Sequence, residues 1–173
     1  MDRFMASERI IEELRKEAER IEEDSDFTAQ GHYNASAVWK SGHRWLGILA
    51  TIASALTAGA ALKEYSREAV AICSVIAGVL TAVLTFLRPS EESDRHHRAG
   101  DQSLAVRNRV RFFRNIDLLT RDKADKELVE SLRALTDERN VVLKASPIIP
   151  RRAFERARKD IEAGTTTHKI DVR

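Results

Sequence analysis

Cysteine is nearly missing from this chain: Cys73 is the only one in 173 residues. A lone thiol closes no internal disulfide, so cross-linking contributes nothing to the fold. Lying in an uncharged stretch, Cys73 reads as a small core-like residue. Proline occurs three times, glycine seven times, and aromatics make up 6%. So few chain breakers and so few strand-favouring rings point to helix rather than sheet. There is no Gly-rich phosphate loop, no paired-cysteine metal site and no nucleophile motif, so the sequence assigns no catalytic residue, no cofactor and no metal. His96 and His97 are adjacent, and neighbours on a helix point about 100° apart, which prevents them from chelating one ion. His32, His43 and His168 are scattered and read as solvated. Residues 1–26 are charged rather than apolar, so no cleavable signal peptide is expected.

The most informative scarcity is local. Charged residues make up 32% of the chain, yet residues 45–62 and 69–87 contain none. As helices, these 18- and 19-residue windows would cover roughly 27–29 Å, close to the hydrocarbon thickness of a bilayer, about 30 Å. The second window is rich in branched residues, including Val70, Ile72, Val75, Ile76, Val79 and Val83. The first is diluted by six alanines, two threonines, a serine and two glycines. Such a weak span inserts more readily when paired with a strong one. The expectation is a transmembrane hairpin: first helix 45–62, external loop 63–68, second helix 69–87. Trp39, Trp45 and Tyr65 suit the headgroup level. Lys40 and Arg44 precede the hairpin and Arg88, Arg95 and Arg98 follow it, whereas Lys63 and Arg67 in the loop are balanced by Glu64 and Glu68. That bias places both termini in the cytoplasm. The competing reading is a buried hairpin inside a water-soluble bundle.

The two tails are polar and periodic. Residues 4–23 form an amphipathic pattern through Ile10, Leu14, Glu17 and Ile21, widened by Ile11 and Ala18, with a break expected at Asp24 or Ser25. A second segment, 27–43, leads into the first window. After Pro89 a helix is expected to run to Leu119, burying Val106, Val110, Phe113, Ile116 and Leu119. Another spans 123–144, with Leu128, Leu132, Leu135 and Val142 near heptad spacing. A short last helix starts at Pro150 and is capped by Gly164, and 165–173 should be loose. Residues 1–44 carry a net charge of −3 and residues 88–173 a net charge of +5. These complementary tails are suited to packing as one cytoplasmic helical bundle. The Asn34–Ala35–Ser36 triplet matches a glycosylation pattern that has no meaning on a cytoplasmic helix.

Two sets of residues are candidates for function. Thr51, Ser54 and Thr57 recur at spacing three, and Ser74, Gly78, Thr81 and Thr85 at four, three and four. Each set marks one stripe, suited to close helix packing or, in an oligomer, to lining a pore. No ionisable side chain lies in either window, which argues against a pump. Arg107, Arg111 and Arg114, with Arg151 and Arg152, are candidates for contact with phosphate or lipid headgroups. The small net charge of +2 and the value of Val110 and Phe113 to a core argue against nucleic acid as a partner.

The stretches "IEEDSDFTAQGHYNASAVWKSGHRWLGI", "TFLRPSEESDRHHRAGDQSLAVRNRVRFF" and "ASPIIPRRAFERARKDIEAG", in that order around the two apolar windows, resemble the SLATT family. These are two-transmembrane effector domains associated with bacterial SMODS nucleotidyltransferases and SLOG nucleotide sensors. The likeness covers nearly the whole chain as a single 1–173 domain. It rests on the order of elements and has no catalytic signature. It implies an all-α membrane effector of a bacterial antiphage or conflict system, located in the inner membrane. Such a protein would oligomerise with itself and breach the membrane when a separate sensor or nucleotide-generating protein signals. A non-conducting membrane-tethered scaffold is the alternative.

Overall fold

The computed structural model describes residues 2–62 and 67–164. Every regular element among them is helical: α1 (Asp2–Leu62), α2 (Arg67–Leu87), α3 (Pro89–Phe112), a π-helical segment (Phe113–Asp117), α4 (Leu118–Thr120), α5 (Asp125–Ala145) and α6 (Arg151–Glu162). The chain divides into two compact units, Met1–Ala35 with Arg95–Arg173, and Ser36–Asp94. The expected external loop lies mostly outside the described residues, although its last two residues, Arg67 and Glu68, already belong to α2. The expected loose tail 165–173 also lies outside them.

The first unit has one apolar core. Ile11, Leu14, Ala18 and Ile21 of α1 meet Val106, Val110 and Phe113 of the α3 region, Leu118, and Leu128 and Leu132 of α5. Val129, Leu135 and Val142 pack against that cluster. Each large aliphatic or aromatic side chain so enclosed contributes about 1.5–3 kcal/mol. The heptad expected in α5 is the one observed. The face of α1 is turned from the expected one: Ile10 is 39% exposed and Glu17 is exposed, while Ile11 takes the core position.

Two sequence expectations fail here for physical reasons. α1 does not break at Asp24–Ser25. Short polar residues interrupt helices by competing for nearby backbone groups, but the Asp24 carboxylate is engaged by Arg139 at 2.8 Å, and Ser25 is buried between the packed helices, with no hydrogen-bond partner for its hydroxyl among the described residues. Ile116 and Leu119 do not join the core either; they are 45% and 66% exposed. After Phe113 the π turn takes up one extra residue, so the next inward side chain is Leu118, 1% exposed.

Ion pairs join acidic α1 to the basic helices. Arg107 meets Asp26 at 3.3 Å, Arg114 meets Glu22 at 3.3 Å and Glu19 at 3.7 Å, and Arg139 meets Asp24. Arg121, in the left-handed region at φ 51°, holds Glu8 through two bonds of 2.7 and 3.0 Å. Arg121's hydrogen bond keeps the Glu8 carboxyl below its usual range. α6 begins after Pro150, buries Ala153 and Ala157, and ends with Gly164 at φ 72°, donating to the Ile161 carbonyl at 2.9 Å. Its Phe154 ring lies 6.5 Å from Phe27, and Asn34 of α1 donates to Asp160 at 3.4 Å. Asn34 is thereby used inside the fold.

The second unit contains the residues of the uncharged windows. Ser36 and Ser93 are buried and share a 3.0 Å hydroxyl contact, and Ser93 donates to the Ser36 carbonyl at 3.1 Å. α2 ends where Pro89 follows. A proline disfavours helical backbone in the residue before it, and Arg88 adopts φ 42°. No residue of α2 is buried.

Candidate functional site

Among the described residues one helical run, 67–120, is long and apolar enough to cross a membrane. Its 18-residue window has a mean hydropathy of 2.5, and none of that window is buried. Ile72, Val75, Ile76, Val79, Phe86 and Leu87 are 47–86% exposed. On 45–56, Trp45, Ile48, Leu49, Ile52 and Leu56 are 47–63% exposed. The half-buried residues of α2 include Val70, Cys73, Ala77, Leu80 and Leu84, a stripe at spacing three and four, with Ala69 and Val83 beside it. Leu46, Gly47, Ala50, buried Ala53, Thr57 and Ala60 make the corresponding stripe on α1.

The small polar residues predicted from sequence mostly lie off those stripes. Thr51, Ser54, Ser74, Gly78, Thr81 and Thr85 are exposed, and only Thr57 is half-buried. Each hydroxyl donates to the carbonyl four residues earlier: Thr51 to Gly47, Ser54 to Ala50 and Thr57 to Ala53 at 2.9 Å, Ser74 to Val70 and Thr81 to Ala77 at 2.8 Å, and Thr85 to Thr81 at 2.9 Å. Such back-bonding satisfies the donor within its own helix. The hydroxyl oxygen keeps a lone pair that can accept from water or from a neighbouring helix.

The candidate arginines divide differently. Arg107, only 15% exposed at its side chain, and Arg114, 26% exposed, spend their charge on α1 carboxylates. Arg111 is half-buried. Arg151 and Arg152 are exposed on α6, where Arg151 holds Glu155 at 2.7 Å. The structure thus does not gather these five into one site.

A buried polar cluster was not foreseen. His32 and His96 read as solvated in the sequence, yet they are 1% and 3% exposed. Their Nδ1 atoms are 3.0 Å apart, with ring centroids at 5.3 Å. Two neutral imidazoles make this contact when one carries its proton on Nδ1 and the other on Nε2. Burial, and secondarily the charge of His96, push His32 down to about 4. A signal was present: Ser25, Ala29 and His32 continue the spacing of Ile11, Leu14, Ala18 and Ile21. His96, Ala99 and Ser103 do the same for Val106 and Val110. Alongside, Tyr33 donates to Asp101 at 2.8 Å, and its ring lies 5.4 Å from exposed His97. Burial first, then Asp101, push the Tyr33 phenol up to about 12, which makes it a poor nucleophile near neutral pH. No group of three His, Cys, Asp or Glu is placed to hold a metal ion among the described residues.

This cluster depends on close backbone approach. A Cβ on Gly100 would come within 2.8–3.1 Å of three atoms of the Tyr33 ring, and one on Gly31 within 3.2–3.3 Å of Ile149. Gly100→Val gains a few tenths of a kcal/mol in helix propensity but overpacks a ring held by Asp101 and His97, at about 1–3 kcal/mol. The expected net result is a melting temperature lower by roughly 3–8 °C, read by circular dichroism. Most of that loss should be recovered when Tyr33→Ser is added. No family model, curated protein or solved structure matches this chain.

Proposed function

We propose that this protein is a membrane effector of a bacterial antiphage or conflict system. It inserts residues 45–62 and 69–87 into the inner membrane as a two-helix hairpin, keeps both termini in the cytoplasm, and oligomerises into a pore when a separate sensor or nucleotide signal arrives. The observation that carries the membrane part is the α2 window, with mean hydropathy 2.5 and nothing buried. The core helix of a water-soluble bundle would enclose such a surface. The effector part follows the SLATT resemblance. Two spans cannot enclose a water path alone, so conduction requires several copies. The exposed hydroxyl stripe Ser74, Thr81 and Thr85 is the surface of α2 best suited to face water in such an assembly.

Reconstitution into dye-loaded vesicles tests this reading. The wild-type chain should release dye in its triggered state, deletion of 45–87 should abolish release, and Thr81→Leu with Thr85→Leu should cut it at least several-fold while membrane insertion persists. Release that survives the deletion removes the pore. Insertion without release under any trigger favours a non-conducting, membrane-tethered scaffold. That second reading is supported by the back-bonded hydroxyls, which need no water of their own.

A further inference from the structure

The first unit also has a cleft between α3 and the end of α5. Arg95, Arg98, Ala99 and Gln102 of α3 form one wall and Ala145, Ser146 and Pro147 the other, around a hollow of about 430 Å³. Positions 95, 98, 99 and 102 share one helix face by their three- and four-residue spacing. The hollow falls within the range of small-molecule sites, roughly 300–1,000 Å³. Its lining holds two cations, a carboxamide and no carboxylate. The hollow of about 290 Å³ beside Arg114 differs in this respect, because Glu19 lines it together with Arg15.

The far wall offers few donors. The Ser146 N–H goes to the Leu143 carbonyl, its hydroxyl goes to the Val142 carbonyl, and Pro147 has no N–H. Donors into the cleft therefore come from the α3 wall. Arg95 and Arg98 have partners of their own, but a guanidinium carries five N–H groups in a planar fork, the geometry that also matches phosphate oxygens.

We infer that this cleft binds a phosphate-bearing ligand, with Arg95 and Arg98 gripping the oxyanion and Gln102 donating to it. The ligand is either a soluble phosphorylated small molecule or the headgroup of an anionic phospholipid. The site is separate from the arginines singled out from sequence, and it stands whether or not α2 crosses a bilayer.

The test uses the full chain in neutral maltoside micelles, titrated calorimetrically with inorganic pyrophosphate and, separately, with dihexanoyl phosphatidylglycerol below its micelle concentration. Saturable binding of pyrophosphate, weakened about tenfold or more by Arg95→Gln and by Arg98→Gln, supports the site and a soluble ligand. The same mutational pattern seen only with the short-chain lipid supports the site and a headgroup. Gln102→Glu should abolish binding in either arm by placing a carboxylate in the cleft without removing a cation. Arg151→Gln with Arg152→Gln, which removes two exposed charges outside the cleft, should change nothing. The inference is overturned if neither probe saturates by about 10 mM, or if the α6 control loses binding as much as the cleft variants. All these side chains except Gln102 are exposed arginines, and circular dichroism confirms that each variant folds before it is titrated.

Discussion

Ile76→Asp combined with Val79→Asp should expel the protein from the membrane fraction of expressing cells. The two positions sit near the middle of α2, 47% and 56% exposed, with nothing of that helix buried. An ionised side chain at the centre of a spanning helix costs about 2.5–3.5 kcal/mol on insertion scales. Two such residues cost about 5–7 kcal/mol, a shift of roughly four orders of magnitude in partitioning. Burial changes in the first unit do not enter this balance, since none of its core residues is touched. A matched control, Lys126→Asp with Glu130→Lys on exposed α5 positions, should leave the protein in the membrane. Separation of membranes by ultracentrifugation with carbonate washing reads both. Wild-type protein recovered monodisperse in detergent-free buffer, or a double variant that stays membrane-bound, would remove the membrane reading.

Acid should loosen the first unit at the buried histidines. His32 sits at about 4 in the folded protein, below the ordinary value of about 6.5. A lowered folded value means that the unfolded chain binds more protons between those limits. The stability is therefore fully present above about pH 6.5, falls as pH drops from there to about 4, and levels off below. A melting temperature lower by roughly 5 °C at pH 4.5 than at pH 7.5 is the expected scale. At neutral pH, His32→Leu alone leaves the His96 Nδ1 without its 3.0 Å partner, at about 1–3 kcal/mol. The double variant His32→Leu with His96→Leu removes both polar groups. It should cost less than the two single changes summed, and its acid limb should flatten. An unchanged acid limb in the double variant would place the responsible group elsewhere.

What could be read from the sequence follows from what each pattern encodes. Helix α5 was legible because Leu128, Leu132, Leu135 and Val142 leave one face only, and the α6 boundaries were legible because Pro150 and Gly164 have few other roles. The uncharged windows announced the exposed apolar surface of α2, and the polar stripe within it was found by spacing alone. That the stripe lies on the outer side was beyond reach, because spacing defines a face without saying what it meets. The histidine pair was missed for the opposite reason. Its members stand 64 positions apart, and only the packing of α1 on α3 within the first unit joins them. Arg107 and Arg114 looked like free cations because their carboxylates, Asp26 and Glu22, lie on a different helix.

The segment Phe113–Asp117 behaves like a frameshift written into a helix. Its two flanks are doublets, Phe112–Phe113 and Leu118–Leu119, so an apolar side chain is available in either phase. The extra residue selects Phe113 and Leu118 for the interior and turns Phe112, Ile116 and Leu119 outward. A chain lacking that one residue would carry the counterpart of Leu118 four positions after that of Phe113, on the same inward face of an uninterrupted α-helix. A faithful alignment of such chains therefore has to open a gap inside this turn, although nothing in the composition of either sequence would ask for one.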